Sequence, residues 1–450
     1  MNAIAKIAEA TRGTRWEGRL YLVGGCVRDE IMGNRPITDF DIVTEDSVDE
    51  LAQFLREKGV SSIEPVFYPR FGTALIRVND RNVELVQARR ERYRPDTRKP
   101  QVAPAPLQED ALRRDFTINA LMRNLHTGEL HDFLGCALED IQNRVLRTPL
   151  DPSETFRDDP LRMLRAVRFR WKLGLTPADG LYDAIRENRE RLRIVSFERI
   201  RDELTKMLLH PTAAEALAEL MDLGLLEQFW WEFRECVGVD QGAYHSQPLW
   251  EHLLDVVRAV ASEGDLILTL SALFHDVGKA RTRSVDESGR VRFLGHERVG
   301  AQMAREMLLR LRFSKADSET VALLVANHMR LGTMETFTPA AGRRLIRDLG
   351  DQLTRLLRLC KADAGALRPI PKPIPFDQIE RVLQEVRSAT KQSEFKSPLT
   401  GEEVMTLLGI GEGPEVGRWL RALEEAVMEG EVAPDDRDAA RQWLLERARR

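Results

Sequence analysis

The strand-like segments that can be read in this chain all lie before about residue 90, and from Asp158 onward the apolar residues recur with helical spacing. That segregation calls for an α/β or α+β domain of roughly 145 residues followed by helical regions. At 450 residues the chain is too long for one ordinary core, so two to four domains are expected.

Within the first region, RLYLV (19–23) reads as a strand, Gly24-Gly25 as a tight turn opening a short helix, and DFDIV as a second strand from Asp39. Ser47 and Glu50 form a capping box for a helix that stops at Gly59. Residues 72–78 and 82–88 are hairpin strands joined by Asn79-Asp80-Arg81. Arg89 to Leu107 carries Pro95, Pro100, Pro104 and Pro106 and reads as an exposed loop. Eight basic residues face four acidic ones from Arg89 through Arg114, as a solvated surface or as a loop that closes on phosphates.

Further on, DDPLRMLRAVRFRWKLG reads as one helix with Leu161, Leu164 and Val167 on a stripe. Thr176-Pro177 with Asp179 predicts the start of the next helix, and Ser196 the cap of a third. Residues 247–360 read as all-helical, PKPIPF after Pro369 marks a boundary, and Thr400 with Glu403 forms another capping box. The expected division is 1–148, 149–238, 239–368 and 369–450.

A net charge of -5 argues against a protein coated in nucleic acid, but not against a local basic face. The four cysteines form no CxxC pair and are expected as reduced thiols of a cytoplasmic protein. No run of 18 apolar residues suggests a membrane span, and the N-terminus has no secretory pattern.

Two constellations carry chemistry. In the first, Asp39 and Asp41 alternate along a strand, so their carboxylates point the same way and suit divalent ions bridging a triphosphate. Gly24 and Gly25 let backbone N–H groups approach a phosphate, and Arg28 follows one turn later. The order GG-x-VRD, DFD, RRDFTINAL, DDPLRMLRAVRF and ERI resembles class II tRNA nucleotidyltransferases and bacterial poly(A) polymerases, of the polymerase-β-like nucleotidyltransferase superfamily. The resemblance implies a multidomain α+β chain: a nucleotidyltransferase head with a small mixed sheet, then an all-helical neck, a further helical domain and a tail. It implies Mg²⁺ on Asp39 and Asp41, with Glu84 as a third carboxylate, and a triphosphate held by Gly24, Gly25 and Arg28. Arg114 and Asp115, with Asn119 nearby, would select ribose. Asp159 and Arg162, supported by Arg165, would read the incoming base, with Asp158 standing where the family has Glu. A carboxylate accepts from a base amino group and a guanidinium donates to ring acceptors, so one pair can match cytosine or adenine.

The implied reaction is addition of C, C and A from CTP and ATP to tRNA 3′ ends, with CC-only, A-only or poly(A) output as the restricted alternatives. The loop at 89–107 sits where the family has an element that assists the switch to ATP. An RNA footprint is expected where Arg186, Arg189, Arg191, Arg193, Arg199, Arg201 and Lys206 crowd within 21 residues. No membrane or protein partner is expected.

The second constellation is histidine. LFHDVGK ends an apolar helix with His275-Asp276, and His252, His296 and His328 lie in the same region. Imidazoles and a carboxylate on neighbouring helices can hold a divalent transition metal. The pattern resembles the HD phosphohydrolase superfamily, which implies His252, His275, Asp276 and Asp363 as ligands and His296 and His328 as ligands of a second metal. The reading of another class makes this domain the main activity and the head a non-catalytic RNA-binding module. The intact Asp39, Asp41 and Asp115 argue against it.

Overall fold

Asn79 and Asp80 both adopt positive φ, 50° and 60°, and this two-residue turn sets the register of the central hairpin. The computed structural model describes residues 3–33, 40–94, 97–242, 247–332, 337–367, 374–389 and 397–449. They form two compact units, Met1–Arg234 and Glu235–Arg450.

The first unit opens with α1 (Ala3–Thr11), β1 (Tyr21–Val23), α2 (Gly25–Ile31), β2 (Phe40–Thr44) and α3 (Val48–Glu57). It continues through β3 (Val66–Tyr68), β4 (Thr73–Val78), β5 (Arg81–Gln87), β6 (Arg89–Arg94), β7 (Thr97–Pro104) and α4 (Leu107–Leu112). After β8 (Met122–Asn124) and β9 (Leu130–His131) the sheet is complete, in the order β3-β4-β5-β2-β1-β8-β9. Only β2 and β5 pair in parallel, so the sheet is mixed, as expected.

Alternation along β2 separates core from site. Ile42 enters the cluster formed with Ile7, Leu51, Leu55, Ile76 and Leu85, where α1 and α3 cover one face. Val43 points to the other face, into a cluster with Val23, Ala88, Leu107 and Met122, and Asp41 shares that face. Ser47 caps α3 by accepting from the Glu50 N–H, while the Glu50 carboxylate pairs with Arg15.

The segment expected as a loop is instead a hairpin of β6 and β7, with Arg89 opposite Pro104 and Arg92 opposite Gln101. A two-stranded ribbon has an outward side on each strand where proline's missing donor costs nothing, so the prolines did not forbid it.

The head ends with α5 (Ala137–Gln142) and β10 (Val145–Leu146), and the neck region contains α6 (Pro152–Asp158), α7 (Leu161–Leu173), β11 (Thr176–Pro177), α8 (Leu181–Asn188), α9 (Phe197–Leu208) and α10 (Ala213–Asp222). The helix expected from Asp158 breaks at Asp159, which is extended (φ -132°, ψ 99°), because the residue before a proline avoids helical ψ. Thr176-Pro177 does not start a helix; it pairs in parallel with β10, whose Arg144 and Leu146 carbonyls accept from Thr176 and Ala178 N–H. Ser196 sits at the N-cap of α9 without a side-chain cap bond.

In the second unit run α11 (Leu249–Val260), α12 (Leu266–Phe274), α13 (Lys279–Thr282), α14 (His296–Arg310), α15 (Lys315–Asn327), α16 (Pro339–Leu349), α17 (Leu353–Ala366) and α18 (Phe376–Ala389). Interrupting them is a hairpin that the all-helical reading missed, β12 (Ser284–Val285) with β13 (Val291–Arg292). Its turn is tied by Asp286, which accepts from Ser288 and Arg290 N–H and from Arg292. Strands of two residues are too short to register as alternation. The chain closes with α19 (Gly401–Leu408), whose Thr400–Glu403 capping box forms as expected, then α20 (Pro414–Glu429) and α21 (Arg437–Ala448). Among the described residues no helix is long and apolar enough to cross a membrane.

Candidate active sites

Asp39 lies outside the described residues. Asp41 stands beside the Gly-Gly turn: Gly24 has φ 81°, and a Cβ there would lie 3.4 Å from Asp41 Oδ2 and 3.8 Å from Arg114 Nη1. The positive φ calls for glycine here, while a Cβ would make only ordinary contact with these two groups. Glu84 is the register partner of Asp41 on β5, so the two carboxylates are neighbours on one face. Two hard carboxylate oxygen donors on neighbouring strands, beside a glycine turn, fit magnesium.

Arg28 lies beside the turn, its Nη2 3.4 Å from where a Cβ on Gly25 would stand. It is 4% exposed, with its guanidinium on Asp29 at 2.7 Å and on Asn119 Oδ1 at 2.6 Å, and it stacks on Phe169. Asn119 passes the chain on by donating to Asp115 Oδ1 at 2.9 Å, and Arg165 clamps Asp115 Oδ2 through Nε and Nη2 at 2.7 and 2.5 Å. Burial would push the Asp115 pKa up; Arg165, the Asn119 amide and Arg162 outweigh it and hold the carboxyl well below its usual range. Glu203 ends the chain, bound by Arg168 at 2.5 Å. These contacts join α2 to α7 and α9.

Arg114, Asp115, Asp159, Arg162 and Arg165 converge on one cavity of about 260 Å³, together with Glu91, Arg113 and Arg199. Arg162 donates to the Arg113 carbonyl at 2.5 Å, and Asp159 accepts from Arg199 at 3.2 Å. Asp110, fully buried, orients Arg113 and Arg114 at 2.6 and 2.9 Å. The i, i+3 and i, i+4 spacing of Asp110 to these arginines was a usable sequence signal that the reading missed. Asp158, at the end of α6, is not among the cavity residues.

The expected RNA-contacting residues do not share one environment. Arg186, Arg193 and Lys206 are exposed, whereas Arg189, Arg191 and Arg201 are half-buried. Arg191 donates to the Arg157 carbonyl and Arg201 pairs with Asp202. Arg199 belongs to the cavity instead.

The second unit brings all six expected ligands together. His252, His275, Asp276 and Asp363 form one set and Asp276, His296 and His328 another, with the ligand atoms of each set within 4.8 Å of one another. Asp276 is common to both. Its Oδ2 lies 3.2 Å from His275 Nε2, and its Oδ1 lies 3.1 and 3.4 Å from His296 and His328 Nε2. The Nδ1 atoms of His275, His296 and His328 each contact a backbone carbonyl at 2.7–2.8 Å, where only an N–H donor is at ease. Each neutral ring therefore presents a bare Nε2 to the cluster.

His252 and His275 Nε2 are 3.2 Å apart, and those of His296 and His328 are 3.3 Å apart. Facing lone pairs at that distance need a proton or a cation between them. Asp276 Oδ1 is buried and accepts no hydrogen bond. The imidazole and carboxylate donors thus fit two divalent transition-metal ions sharing Asp276. Burial lowers the His275 pKa, but Asp276 and Asp363 outweigh it and push it up to about 10.

Gly278, one position before Lys279 in the HD segment, makes the second set possible. A Cβ there would fall 2.2 Å from the His296 carbonyl and 2.6 Å from Gly300 N, so only glycine lets α14 bring His296 up to Asp276. Lys279 reaches Asp276 Oδ2 at 2.5 Å and Gln241 at 3.0 Å. A cavity of about 510 Å³ opens on the cluster, with Arg290, Phe293, Met329 and Ile374 among its walls.

Family models match three stretches: the "Poly A polymerase head domain" over residues 20–147, the "Probable RNA and SrmB- binding site of polymerase A" over 174–235, and the "HD domain" over 243–365. The chain is 36% identical over 435 residues to the CC-adding tRNA nucleotidyltransferase of Thermus thermophilus, covering 94% of this chain and 93% of that one. It is 37% identical over 342 residues to the A-adding tRNA nucleotidyltransferase of Deinococcus radiodurans, covering 73% and 77%. The fold is similar to the CCA-adding enzyme of Bacillus stearothermophilus in complex with CTP, with a TM-score of 0.73, 23% identity, and coverage of 100% and 98%.

Proposed function

Because the chain belongs to the family of class II CCA-adding enzymes and poly(A) polymerases that carry an HD domain, we propose that it adds C, C and A from CTP and ATP to the 3′ end of tRNA. It is a nucleotidyltransferase; the proposal concerns its substrate and its output. The observation that carries it is the convergence of Asp159, Arg162 and Arg165 on a cavity whose Arg114 also lies against Gly24 and Asp41. On this reading the cavity would receive the base and the adjoining glycine turn the phosphates.

In this reading the primer 3′-hydroxyl attacks the α-phosphorus in line, forming the phosphodiester as the bond to pyrophosphate breaks. Magnesium held by Asp39 and Asp41, with Glu84 adjacent, supplies Lewis-acid stabilisation of the phosphoryl charge. The Gly24-Gly25 turn receives the triphosphate through backbone N–H groups. Arg28 acts from behind the turn, and Asn119 and Asp115 hold Arg165 at the base cavity. CC-only output is the second reading, favoured by the likeness to the Thermus enzyme along nearly the whole chain. Sequencing the 3′ ends of tRNA lacking CCA, or ending in C or CC, after incubation with Mg²⁺ and CTP, ATP or both, tests it. Products ending at CCA are expected. Arrest at CC selects the second reading, and no extension of any end overturns both.

We further propose that the HD cluster is a metal-dependent phosphohydrolase site, using metal-activated water on phosphate esters. Asp276→Asn is expected to lower bound transition metal well below that of the wild type and to remove phosphatase activity, leaving nucleotide incorporation intact. Metal analysis of the purified full chain checks it; unchanged metal content would refute the ligand assignment. The four cysteines are all free, which supports a cytoplasmic location.

A further inference from the structure

The edge strand β3 is exposed along its whole length, and its side chains are large and apolar: Val66 is 44% exposed, Phe67 38% and Tyr68 47%. Phe71, on the 3-10 turn that follows, is 44% exposed with Arg70 over its ring. Sheet edges of this composition invite unwanted pairing and are ordinarily blunted by charge or proline within the strand. Phe67, opposite Ala74, turns to the face of the α1–α3 cluster, while Val66 and Tyr68 lie together on the other face, and exposed apolar surface that survives there marks a contact surface.

Register places this patch with respect to the active site. Val66 pairs with Leu75, Leu75 with Glu84, and Glu84 with Asp41, so all four side chains lie on one face. Tyr68 follows Val66 by two residues and shares that face, as does Arg77 on β4. Three inter-strand steps of about 4.8 Å put the row's outer end about 14 Å from the Asp41 backbone, a reach of roughly two to four nucleotides of a single strand. The turn carrying Phe71 is held firmly: Gln87 N–H donates to the Gly72 carbonyl at 2.9 Å, and Arg89 donates to the Phe71 carbonyl.

We infer that this edge is a stacking platform for the single-stranded 3′ end of the RNA primer, with Tyr68 and Phe71 receiving bases and Arg70 and Arg77 facing phosphates. The inference rests on the proposed polymerising function. A primer whose 3′-hydroxyl reaches Asp41 has to cross or leave this face of the sheet, and exposed rings flanked by arginine are what a single strand binds without sequence preference. A peptide strand added to the open edge is the competing use of the same surface.

The test uses the full chain and a tRNA transcript lacking CCA. Tyr68→Ala and Phe71→Ala are expected to raise the primer KM on the order of ten-fold each, with the CTP KM and the unfolding temperature unchanged. Tyr68→Trp should restore the primer KM, because it restores the ring. A 4-thiouridine within four nucleotides of the primer 3′ end should cross-link to β3 or its turn. If the wild type extends the primer while both alanine variants keep its KM and the cross-link maps elsewhere, the platform is refuted and the polymerising function stands. If those variants instead abolish self-association of the wild type, the edge is a protein contact and the inference fails. Absence of extension by the wild type would overturn the functional reading itself.

Discussion

Asp41→Ala is expected to lower nucleotide incorporation on the order of a thousand-fold while leaving the protein folded. The carboxylate is half-buried at the start of β2, outside both apolar clusters of the sheet, so its removal opens no core cavity. What it removes is a charge aimed at the Gly24 turn, 3.4 Å from where a Cβ would stand. Asp39→Ala should act alike. Any phosphohydrolase activity should survive, since the metal ligands proposed for it, His252, His275, Asp276, Asp363, His296 and His328, all lie outside the head. Measuring both activities on one preparation makes the result decisive. Incorporation surviving at near wild-type rate would sink the assignment of the catalytic carboxylates.

The second large effect is on stability. Replacing Asp115 by Ala strips Arg165 and Asn119 of a shared acceptor, and Asn119 is the acceptor for buried Arg28. Breaking one partner of such a pair costs about 3 kcal/mol, the lower end of the range for buried pairs because the Arg165 side chain remains 32% exposed. The pH dependence has a definite sign. Asp115 is held below its unfolded value near 3.9, so its contribution is fully present above about pH 5 and is lost as pH falls toward the lower folded value. Denaturant unfolding of wild type and Asp115→Asn should therefore give a constant difference from about pH 5 to 8 that shrinks below about pH 4. A difference that grows on acidification would contradict the network. The same variants should bind nucleotide less well, since Arg165 loses the clamp that fixes it at the cavity.

How far these features were legible in advance depended on the range over which each is encoded. Gly24-Gly25, the strand that carries Asp41 and the Thr400–Glu403 box are local, and each appears in the structure as read, while the hairpin turn is Asn79-Asp80 alone, with Arg81 already in β5. Failures came where local pattern competed with a distant partner. Thr176-Pro177 has good helix-start chemistry, yet its backbone is taken by β10, some thirty residues earlier. The proline-rich run at 89–104 pairs with itself because a two-strand ribbon tolerates missing donors. The bond from Arg28 to Asn119, 91 positions away, leaves no trace in the local pattern.

The amino-acid sequence by itself determined the segregation of sheet and helices and the glycine turn, because periodicity and turn chemistry act within a few residues; the ligand set of the histidine cluster, spread over more than a hundred residues, was implied by family resemblance and not by local pattern. Only the tertiary structure decided that Asp276 serves two ligand sets, that Gly278 lets α14 approach closely enough to form the second, and that Asp115 is a buried clamp for Arg165. Those outcomes depend on which helices pack together and how closely, and close packing couples residues whose separation along the chain carries no information about their distance.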